Sequence, residues 1–233
     1  MLGNLARRFA NLAFGGSCYL CRGAAAGVLC ADCDAELPRL GDAVCPRCAL
    51  PSPGRALCGR CLVRAPAYDE TLAALAYEFP ADVLVQGLKF RGELALAPLL
   101  GQMLAARLPR GARVDLILPV PLAPARLRER GFNQSLEIAR ELAAATGCRL
   151  APRLAERDRD TPPQVDLPPE ERGRNVRGAF RCTQLLERAE VALVDDVMTT
   201  GATLEELAAT LKRAGATRVV NWVVARTPPP AHA

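Results

Sequence analysis

The segment VALVDDVMTTGAT, residues 191–203, decides the predicted fold. It begins with four apolar residues, the pattern of a buried strand, and continues with the adjacent acids Asp195 and Asp196. The residues of interest in the turn that follows are Thr199, Thr200, Gly201 and Thr203. Because ligands of open parallel sheets bind beyond the carboxyl ends of the strands, the segment predicts a binding site at this turn.

The turn has the chemistry of a phosphate-binding loop. Backbone N–H groups and threonine hydroxyls can donate to phosphate oxygens, and the start of the following helix favours an anion. Gly201 permits close approach of a ligand to the backbone. The two acids would repel a phosphate and suit sugar hydroxyls instead. The simpler alternative is an ordinary strand, turn and helix with solvated acids, whereas a Walker loop is excluded because no Gly-Lys-Ser/Thr follows.

Strands and helices alternate along the rest of this region. Further strands are predicted at 71–79, 114–120 and 218–225, and helices at 81–90, 93–108, 133–146 and 204–214. The alternation predicts an α/β fold with a parallel sheet and right-handed crossovers. The polar stretch 154–178, rich in arginine and proline, is predicted to be a loop. Residues 1–14 are interpreted as a short helix and not as a signal peptide.

Eight of the ten cysteines form four C-x2-C pairs in the N-terminal part of the chain. The pairs are Cys18/Cys21, Cys30/Cys33, Cys45/Cys48 and Cys58/Cys61. Two such pairs complete a tetrahedral site of four thiolates, so the pattern predicts two structural zinc ions. Similar spacings within each half favour two consecutive ribbons, although crossed pairing remains open. The other alternative, a disulfide framework, would require an oxidising compartment.

The composition limits the possible functions of the 233 residues. The chain is predicted to consist of a cysteine module, 1–65, and a sheet domain, 66–233. No apolar run reaches the ~18 residues of a membrane span, so a cytoplasmic protein is expected. The formal charge of +5 says little about nucleic acid, because thiolate–zinc sites would remove most of it. The single histidine, His232, excludes an internal Ser-His-Asp or Cys-His mechanism.

The 191–203 segment closely resembles the phosphoribosyl pyrophosphate signature of type I phosphoribosyltransferases. Together with the cysteine pairs before it, the whole chain resembles the competence protein F (ComF) family. Further motifs carry this resemblance, namely LKFRG (88–92), PVPL (119–122), RGFNQ (130–134), DTPPQ (160–164) and RNVRGAF (174–180). The resemblance covers nearly the whole chain and implies a type I phosphoribosyltransferase fold after a double zinc ribbon.

The resemblance also implies a ligand and the residues that bind it. Phosphoribosyl pyrophosphate would bind with Mg²⁺, and Asp195 and Asp196 would contact the ribose hydroxyls. The residues implied to hold the 5′-phosphate are Thr199, Thr200, Gly201 and Thr203. The turn at 119–121, with Val120 and Pro121, occupies the position of the pyrophosphate loop.

Several basic residues would complete such a site. Arg126, Arg128 and Arg130 would supply positive charge to the pyrophosphate, unless they form a solvated helix face. Lys89, one of two lysines, would meet a phosphate as a point charge, unless it is an ordinary surface lysine. The predicted catalytic residues are therefore Lys89, Arg128, Arg130, Asp195 and Asp196.

Two classes of function remain open at this point. The first is an enzyme that displaces pyrophosphate and transfers the phosphoribosyl group. The second is a non-catalytic zinc-containing adaptor or single-stranded DNA-binding protein of the DNA-uptake machinery, with other competence proteins as partners through the zinc module. Stacking of single strands needs aromatic residues beside basic ones, and Phe90, Phe132 and Phe180 each adjoin a basic motif.

Overall fold

The computed structural model describes residues 16–158 and 176–229. The helix predicted at 1–14 lies outside these ranges, as does most of the loop predicted at 154–178. Within the described ranges the chain forms a parallel sheet with helices on both faces, preceded by a cysteine-rich segment.

Five parallel strands build the main sheet. Their bounds are β1 Glu70–Ala76, β2 Leu116–Pro119, β3 Arg149–Leu150, β6 Glu190–Met198 and β7 Arg218–Arg226. The order across the sheet is β1-β7-β6-β2-β3, so β6 lies at the centre. A separate antiparallel pair is formed by β4, Ala155–Arg157, and β5, Phe180–Cys182. Four buried residues at the start of β6 agree with a strand that is covered on both faces.

Seven α-helices occur within the described ranges. They are α1 Ala31–Ala35, α2 Gly59–Val63, α3 Ala81–Arg91, α4 Leu96–Arg107, α5 Pro124–Arg130, α6 Gln134–Thr146 and α7 Ala202–Arg213. A 3₁₀ turn covers Pro53–Arg55. Helix α6 begins where the Asn133 side chain accepts hydrogen bonds from two backbone N–H groups, and it ends at Gly147 in the left-handed conformation.

The apolar core has two parts, one on each face of the sheet. Helix α7 packs its buried leucines against one face, in a cluster that includes Leu193 and Val223. Helices α3, α4 and α6 cover the other face, in a cluster that includes Ile117 and Trp222. The carboxyl ends of β2 and β6 are therefore held between two packed layers.

The cysteine-rich segment packs directly on the sheet domain. Cys45, Cys48 and Cys61 belong to the core cluster of α7, whereas Tyr19 and Val28 belong to the cluster on the other face. Residues 38–40 run along the edge strand β1 and exchange backbone hydrogen bonds with it, which covers that edge. The division between residues 65 and 66 stays a prediction, because packing does not test independent folding.

Three local predictions were wrong at the level of secondary structure. Strand β6 continues through Asp195 and Asp196 to Met198 and does not end at 194, because both carboxylates find polar partners beside the strand. Strand β4 lies in the stretch predicted to be a loop, where three residues, two of them charged, pair with β5. Strand β1 ends at Ala76, short of the predicted 79.

No helix among the described residues is long and apolar enough to cross a membrane.

Candidate functional site

The eight paired cysteines form two compact groups. The first ribbon contains Cys18, Cys21, Cys30 and Cys33, and the second contains Cys45, Cys48, Cys58 and Cys61. Within each group the sulfur atoms lie within 4.8 Å of one another. Consecutive pairs thus share a site, and the crossed arrangement is not the one the chain adopts.

The sulfur positions fit zinc and not disulfides. The Sγ atoms of Cys21 and Cys30 are 3.7 Å apart, and those of Cys48 and Cys58 are 3.5 Å apart. Four thiolates at ~2.3 Å from a tetrahedral zinc ion lie about 3.8 Å apart, whereas a disulfide requires about 2.05 Å. All ten cysteines are free. The donor sets therefore fit two structural zinc ions.

One thiol of each group is favoured as a thiolate, the form that zinc binds. Burial opposes ionisation of Cys18 and Cys45, but backbone N–H groups that point at their sulfurs outweigh it. The pKa of Cys18 is lowered to about 6 and that of Cys45 to about 7. Each ribbon thus begins with a sulfur prepared for a metal.

The adjacent aspartates of β6 are held from two sides. The Ser135 hydroxyl, in the first turn of α6, donates to Asp195 Oδ1 at 3.0 Å. Lys89 Nζ, near the end of α3, lies 2.8 Å from Asp196 Oδ2. Asp196 is only 2% exposed, and Asp195 is half-buried. The carboxylates are therefore fixed in place at the carboxyl-terminal part of the central strand.

The pKa values of the two carboxyls are shifted in opposite directions. Burial, together with the neighbouring charge of Asp196, raises the pKa of Asp195 to about 8. Burial also opposes ionisation of Asp196, but the Lys89 ammonium overcomes it and lowers the pKa of that carboxyl. In the same way, the pKa of Lys89 is raised by Asp196 in spite of burial. Burial and the mutual repulsion of the two carboxyls thus disfavour their simultaneous ionisation in the unliganded site.

The predicted phosphate loop follows the aspartates, and its three threonines are partly exposed. Thr199 and Thr200 are half-buried, and the Thr200 hydroxyl accepts a hydrogen bond from the Ala202 N–H at 3.3 Å. Gly201 has φ +85°, and a Cβ there would lie 2.7 Å from the Met198 side chain. Thr203 is half-buried in the first turn of α7. Glycine is therefore required at the point where the loop enters the helix.

The turn after β2 lies beside the end of β6. The Val120 N–H donates to the Val194 carbonyl at 2.9 Å, and the Val120 carbonyl accepts from the Asn133 side-chain amide at 3.0 Å. Asn133 also caps α6, so one residue fixes both the turn and the helix that carries Ser135. Pro121 is half-buried next to Val120. The predicted pyrophosphate turn and the aspartate pair thus meet at one edge of the sheet.

Of the predicted cations, Lys89 and Arg130 are brought to the aspartates. Burial lowers the pKa of Arg130, while the charges of Asp196 and Asp195 oppose that effect, so the guanidinium lies within electrostatic reach of both. Its side chain also bonds to Gln134 and lies over the Phe90 ring. Arg128 is exposed, and none of the described contacts links it to the aspartates.

Three residues of the site were missed by sequence reasoning. Ser135 and Asn133 follow the RGF motif at a helix start, a position where such side chains commonly bond. Arg226 ends the apolar run of β7 and is only 3% exposed. A charge at the end of a buried strand is the signal that could have identified it.

The fold and the site together define a parallel α/β protein with a double zinc ribbon and an acidic strand–turn–helix ligand site. A family model described as a double zinc ribbon domain matches residues 9–62. The DNA utilization protein YhgH of Salmonella typhimurium is 38% identical over 222 residues, 91% of this chain and 97% of that protein. Competence protein F of Haemophilus influenzae is 28% identical over 170 residues, 69% of this chain and 74% of that protein. The chain belongs to the YhgH/ComF family, which confirms the resemblance seen in its motifs.

Two solved structures resemble parts of the chain. A purine phosphoribosyltransferase from Pyrococcus horikoshii covers 67% of this chain and 88% of its own, with 17% identity and a TM-score of 0.32. The allosteric regulatory enzyme of purine biosynthesis covers 55% of this chain and 25% of its own, with 24% identity and a TM-score of 0.39. Because both scores are below 0.5, the family assignment depends on the sequence relatives alone.

Proposed function

We propose that this protein binds phosphoribosyl pyrophosphate together with Mg²⁺ at the edge of the sheet formed by the ends of β2 and β6. The observation that carries the proposal is the aspartate pair, held between Ser135 and Lys89 directly before an open loop of threonines. Carboxylates suit ribose hydroxyls, and loop N–H groups at a helix start suit a phosphate. The resemblance of residues 191–203 to the phosphoribosyl pyrophosphate signature supports the same assignment.

Each part of the ligand has a matching part of the site. Asp195 and Asp196 would accept hydrogen bonds from the ribose hydroxyls. The residues that would hold the 5′-phosphate are Thr199, Thr200, Gly201 and Thr203. The Val120–Pro121 turn would contact the pyrophosphate, with positive charge from Lys89 and Arg130.

Mg²⁺ fits this set of residues because it prefers oxygen ligands and is usually held largely by substrate phosphates. When bound, it would neutralise charge that develops on the pyrophosphate. Asp195 and Asp196 would support it electrostatically from the ribose side. If the protein is a transferase, the chain's own contribution is to orient the ribose and stabilise the leaving pyrophosphate through Lys89 and Arg130. Pyrophosphate release on incubation with candidate nucleobases and Mg²⁺ would distinguish an enzyme from a binding protein.

Thermal unfolding with and without ligand tests the binding proposal. A ligand that binds only the folded state stabilises it by about 2.7 kcal/mol at a hundredfold excess over Kd. The double variant Asp195→Asn, Asp196→Asn should lose most of this gain, because asparagine keeps the size but not the anionic acceptors. Thr200→Val should lose part of it. Arg110→Gln is the matched control, since Arg110 is exposed, precedes the amino end of β2 and is expected to leave the gain nearly unchanged.

Two results would contradict the proposal. If the wild type gains no stability at millimolar ligand, the site does not bind phosphoribosyl pyrophosphate. If the wild type and the double asparagine variant gain equally, the ligand binds elsewhere.

Single-stranded DNA binding is a second candidate function, favoured by one aromatic residue. Phe90 is 60% exposed, and its ring centroid lies 5.8 Å from the Arg130 guanidinium and 5.9 Å from Lys89 Nζ. Of the other two aromatics noted in the sequence, Phe132 is half-buried and Phe180 is buried. An exposed ring beside two cations is the combination on which bases of a single strand stack.

A salt titration of oligonucleotide binding tests this second function. Phosphate contacts release counterions, so affinity should fall steeply as salt rises. Phe90→Ala should weaken binding by about 1–3 kcal/mol if bases stack there. Phe79→Ala is the control, because Phe79 is also exposed but no cation of residues 16–158 or 176–229 lies over its ring. No binding at low salt would leave the adaptor role, with protein partners on the zinc module, as the remaining form of this candidate.

A further inference from the structure

We propose that the second ribbon sets the geometry of the phosphate loop through Arg226, so that ligand binding depends on the zinc ion of that ribbon and not on the other. The inference rests on the proposed binding of phosphoribosyl pyrophosphate and assigns a positioning role to Arg226. It connects two parts of the molecule that are far apart in the sequence.

Arg226 joins the ribbon to the loop with hydrogen bonds to backbone carbonyls. Its Nε donates to the Cys48 carbonyl at 2.8 Å. Its Nη1 donates to the Met198 carbonyl at 2.8 Å and also bonds to the Thr199 carbonyl. A zinc ligand's own backbone and the first residue of the phosphate loop are therefore held by one guanidinium.

The buried charge of Arg226 favours a second ribbon that has zinc bound. Arg226 is buried, and its described hydrogen bonds go to neutral carbonyls. Burial of an uncompensated charge is unfavourable. A zinc ion with four thiolates carries a net negative charge, and Cys48 and Cys61 line the same cavity as Arg226. The metal site thus supplies the compensating charge as well as a rigid acceptor.

Tyr68 provides a second contact between the same regions. Arg47, between Cys45 and Cys48, donates to the carbonyls of Pro66 and Tyr68 at 3.3 and 3.4 Å. The Tyr68 hydroxyl in turn lies 3.1 Å from where a Gly201 Cβ would be. A cavity of about 870 Å³ opens between α2 and the start of α7, with Tyr68 and Arg226 among its lining residues. Contact across this gap is therefore concentrated in few side chains.

The first ribbon contacts a different part of the molecule. The Tyr19 hydroxyl accepts a hydrogen bond from Arg91 at 2.6 Å, and Tyr19 packs against α3 at Gly87. Its zinc ion should matter for the fold around α3, whose Lys89 reaches Asp196, and less for the backbone of the phosphate loop at 199–203. This difference provides a matched control within the same chain.

Calorimetric titration with phosphoribosyl pyrophosphate and Mg²⁺, together with zinc analysis, tests the inference. Cys58→Ser should lose one zinc ion and bind the ligand about tenfold or more weakly, whereas Cys21→Ser should lose one zinc ion and stay within about threefold of the wild type. Arg226→Lys should keep both zinc ions and still bind about tenfold more weakly, because one ammonium cannot replace the guanidinium fork.

The outcomes separate this inference from the proposed function. Normal ligand binding by both Arg226→Lys and Cys58→Ser would overturn it. If Cys58→Ser does not fold, the ligand affinity of Arg226→Lys alone tests the inference. If the wild type does not bind the ligand, the proposed function fails. The coupling between the second ribbon and the phosphate loop is then tested by amide hydrogen exchange. Faster exchange of the amides at 199–203 in Arg226→Lys than in Cys21→Ser would support it, and equal exchange would overturn it.

Discussion

The two zinc ribbons have the same ligand set and similar spacing, but they differ in their surroundings. In the first ribbon Cys21 is exposed, and Cys30 and Cys33 are half-buried. In the second ribbon only Cys58 is half-buried, and the other three cysteines are buried in the core cluster of β6, β7 and α7. The same motif thus forms a peripheral clamp in one place and a part of the core in the other.

The difference comes from the residues around the cysteines and not from the cysteines themselves. In the second ribbon the Pro46 carbonyl accepts a hydrogen bond from the Thr71 N–H of β1, and Arg47 bonds to the linker before that strand. In the first ribbon Tyr19 and Val28 supply the contacts, on the opposite face of the sheet. A repeated metal motif therefore predicts repeated coordination, whereas the role of each copy depends on its neighbours.

The largest expected effect is on stability when one buried cysteine is replaced. Free energies of zinc binding in ribbon-type sites are on the order of 10 kcal/mol, so loss of a site that shares the core should be strongly destabilising. Cys48→Ser should unfold at much lower urea concentration than Cys21→Ser, and zinc analysis should show one ion lost from each. Equal midpoints for the two variants would contradict the contrast between the ribbons.

The fold could be predicted largely from the sequence because its signals are local. The apolar run before Asp195 predicts a buried strand, and Gly147 and Gly215 end the predicted helices on either side. The extension of β6 to Met198 could not be predicted, because it depends on Ser135 and Lys89, which lie far away in the sequence. The packing of the second ribbon into the core depends on similar long-range contacts.

The candidate site likewise contains residues that could be predicted from the sequence and contacts that could not. The aspartate pair and the threonine loop form one continuous motif, and their predicted roles stay predictions until ligand binding is measured. Lys89 and Arg130 were proposed from charge alone; the structure pairs Lys89 with Asp196, and Arg130 lies within electrostatic reach of the same carboxylate. The position of Arg226 at the end of an apolar strand could have marked it as unusual, but its partner could not be predicted, because its bond to Cys48 joins residues 178 positions apart.

The free energy of unfolding should depend on pH because of Asp195, so the two ribbons have to be compared at one fixed pH. Its pKa is raised from 3.8 to about 8, so between these values the folded state binds more protons than the unfolded state. The free energy of unfolding should therefore fall as pH rises through this window, by roughly 1.4 kcal/mol per pH unit, and level off above it. Asp196, with a lowered pKa, adds stability that is lost only under more acidic conditions.

Urea unfolding of the wild type and Asp195→Asn between pH 5 and pH 9 measures this effect. The variant should lack the decline and become the more stable protein at the upper end of the range. Parallel curves for the two proteins would show that the Asp195 carboxyl titrates normally.

A smaller effect is expected where the second ribbon faces the phosphate loop. Gly201→Ala places a Cβ 2.7 Å from the Met198 side chain and 3.1 Å from the Tyr68 hydroxyl, in addition to the strain of φ +85°. Gly131→Ala has a similar φ of +79° with no atom within 4 Å of the new Cβ. Gly131→Ala, the control, should lower the free energy of unfolding by about 1 kcal/mol, and Gly201→Ala should lower it by about 2 kcal/mol. Equal costs would mean that the loop can move away from Tyr68, which would weaken the proposed coupling.

The smallest effect compares one tyrosine at each ribbon. Tyr19 anchors the first ribbon through the bond between its hydroxyl and Arg91, whereas the buried Tyr68, 4% exposed, has no hydrogen-bond partner for its hydroxyl among the described residues. Tyr19→Phe should therefore cost about 1 kcal/mol of unfolding free energy, and Tyr68→Phe less than about 0.5 kcal/mol. Because both changes remove a single oxygen atom and keep the ring, the difference isolates the polar contact from packing. A cost at Tyr68 equal to that at Tyr19 would show that the second ribbon also depends on a hydroxyl bond. It would then be held to the sheet domain by more than apolar packing, Arg47 and Arg226.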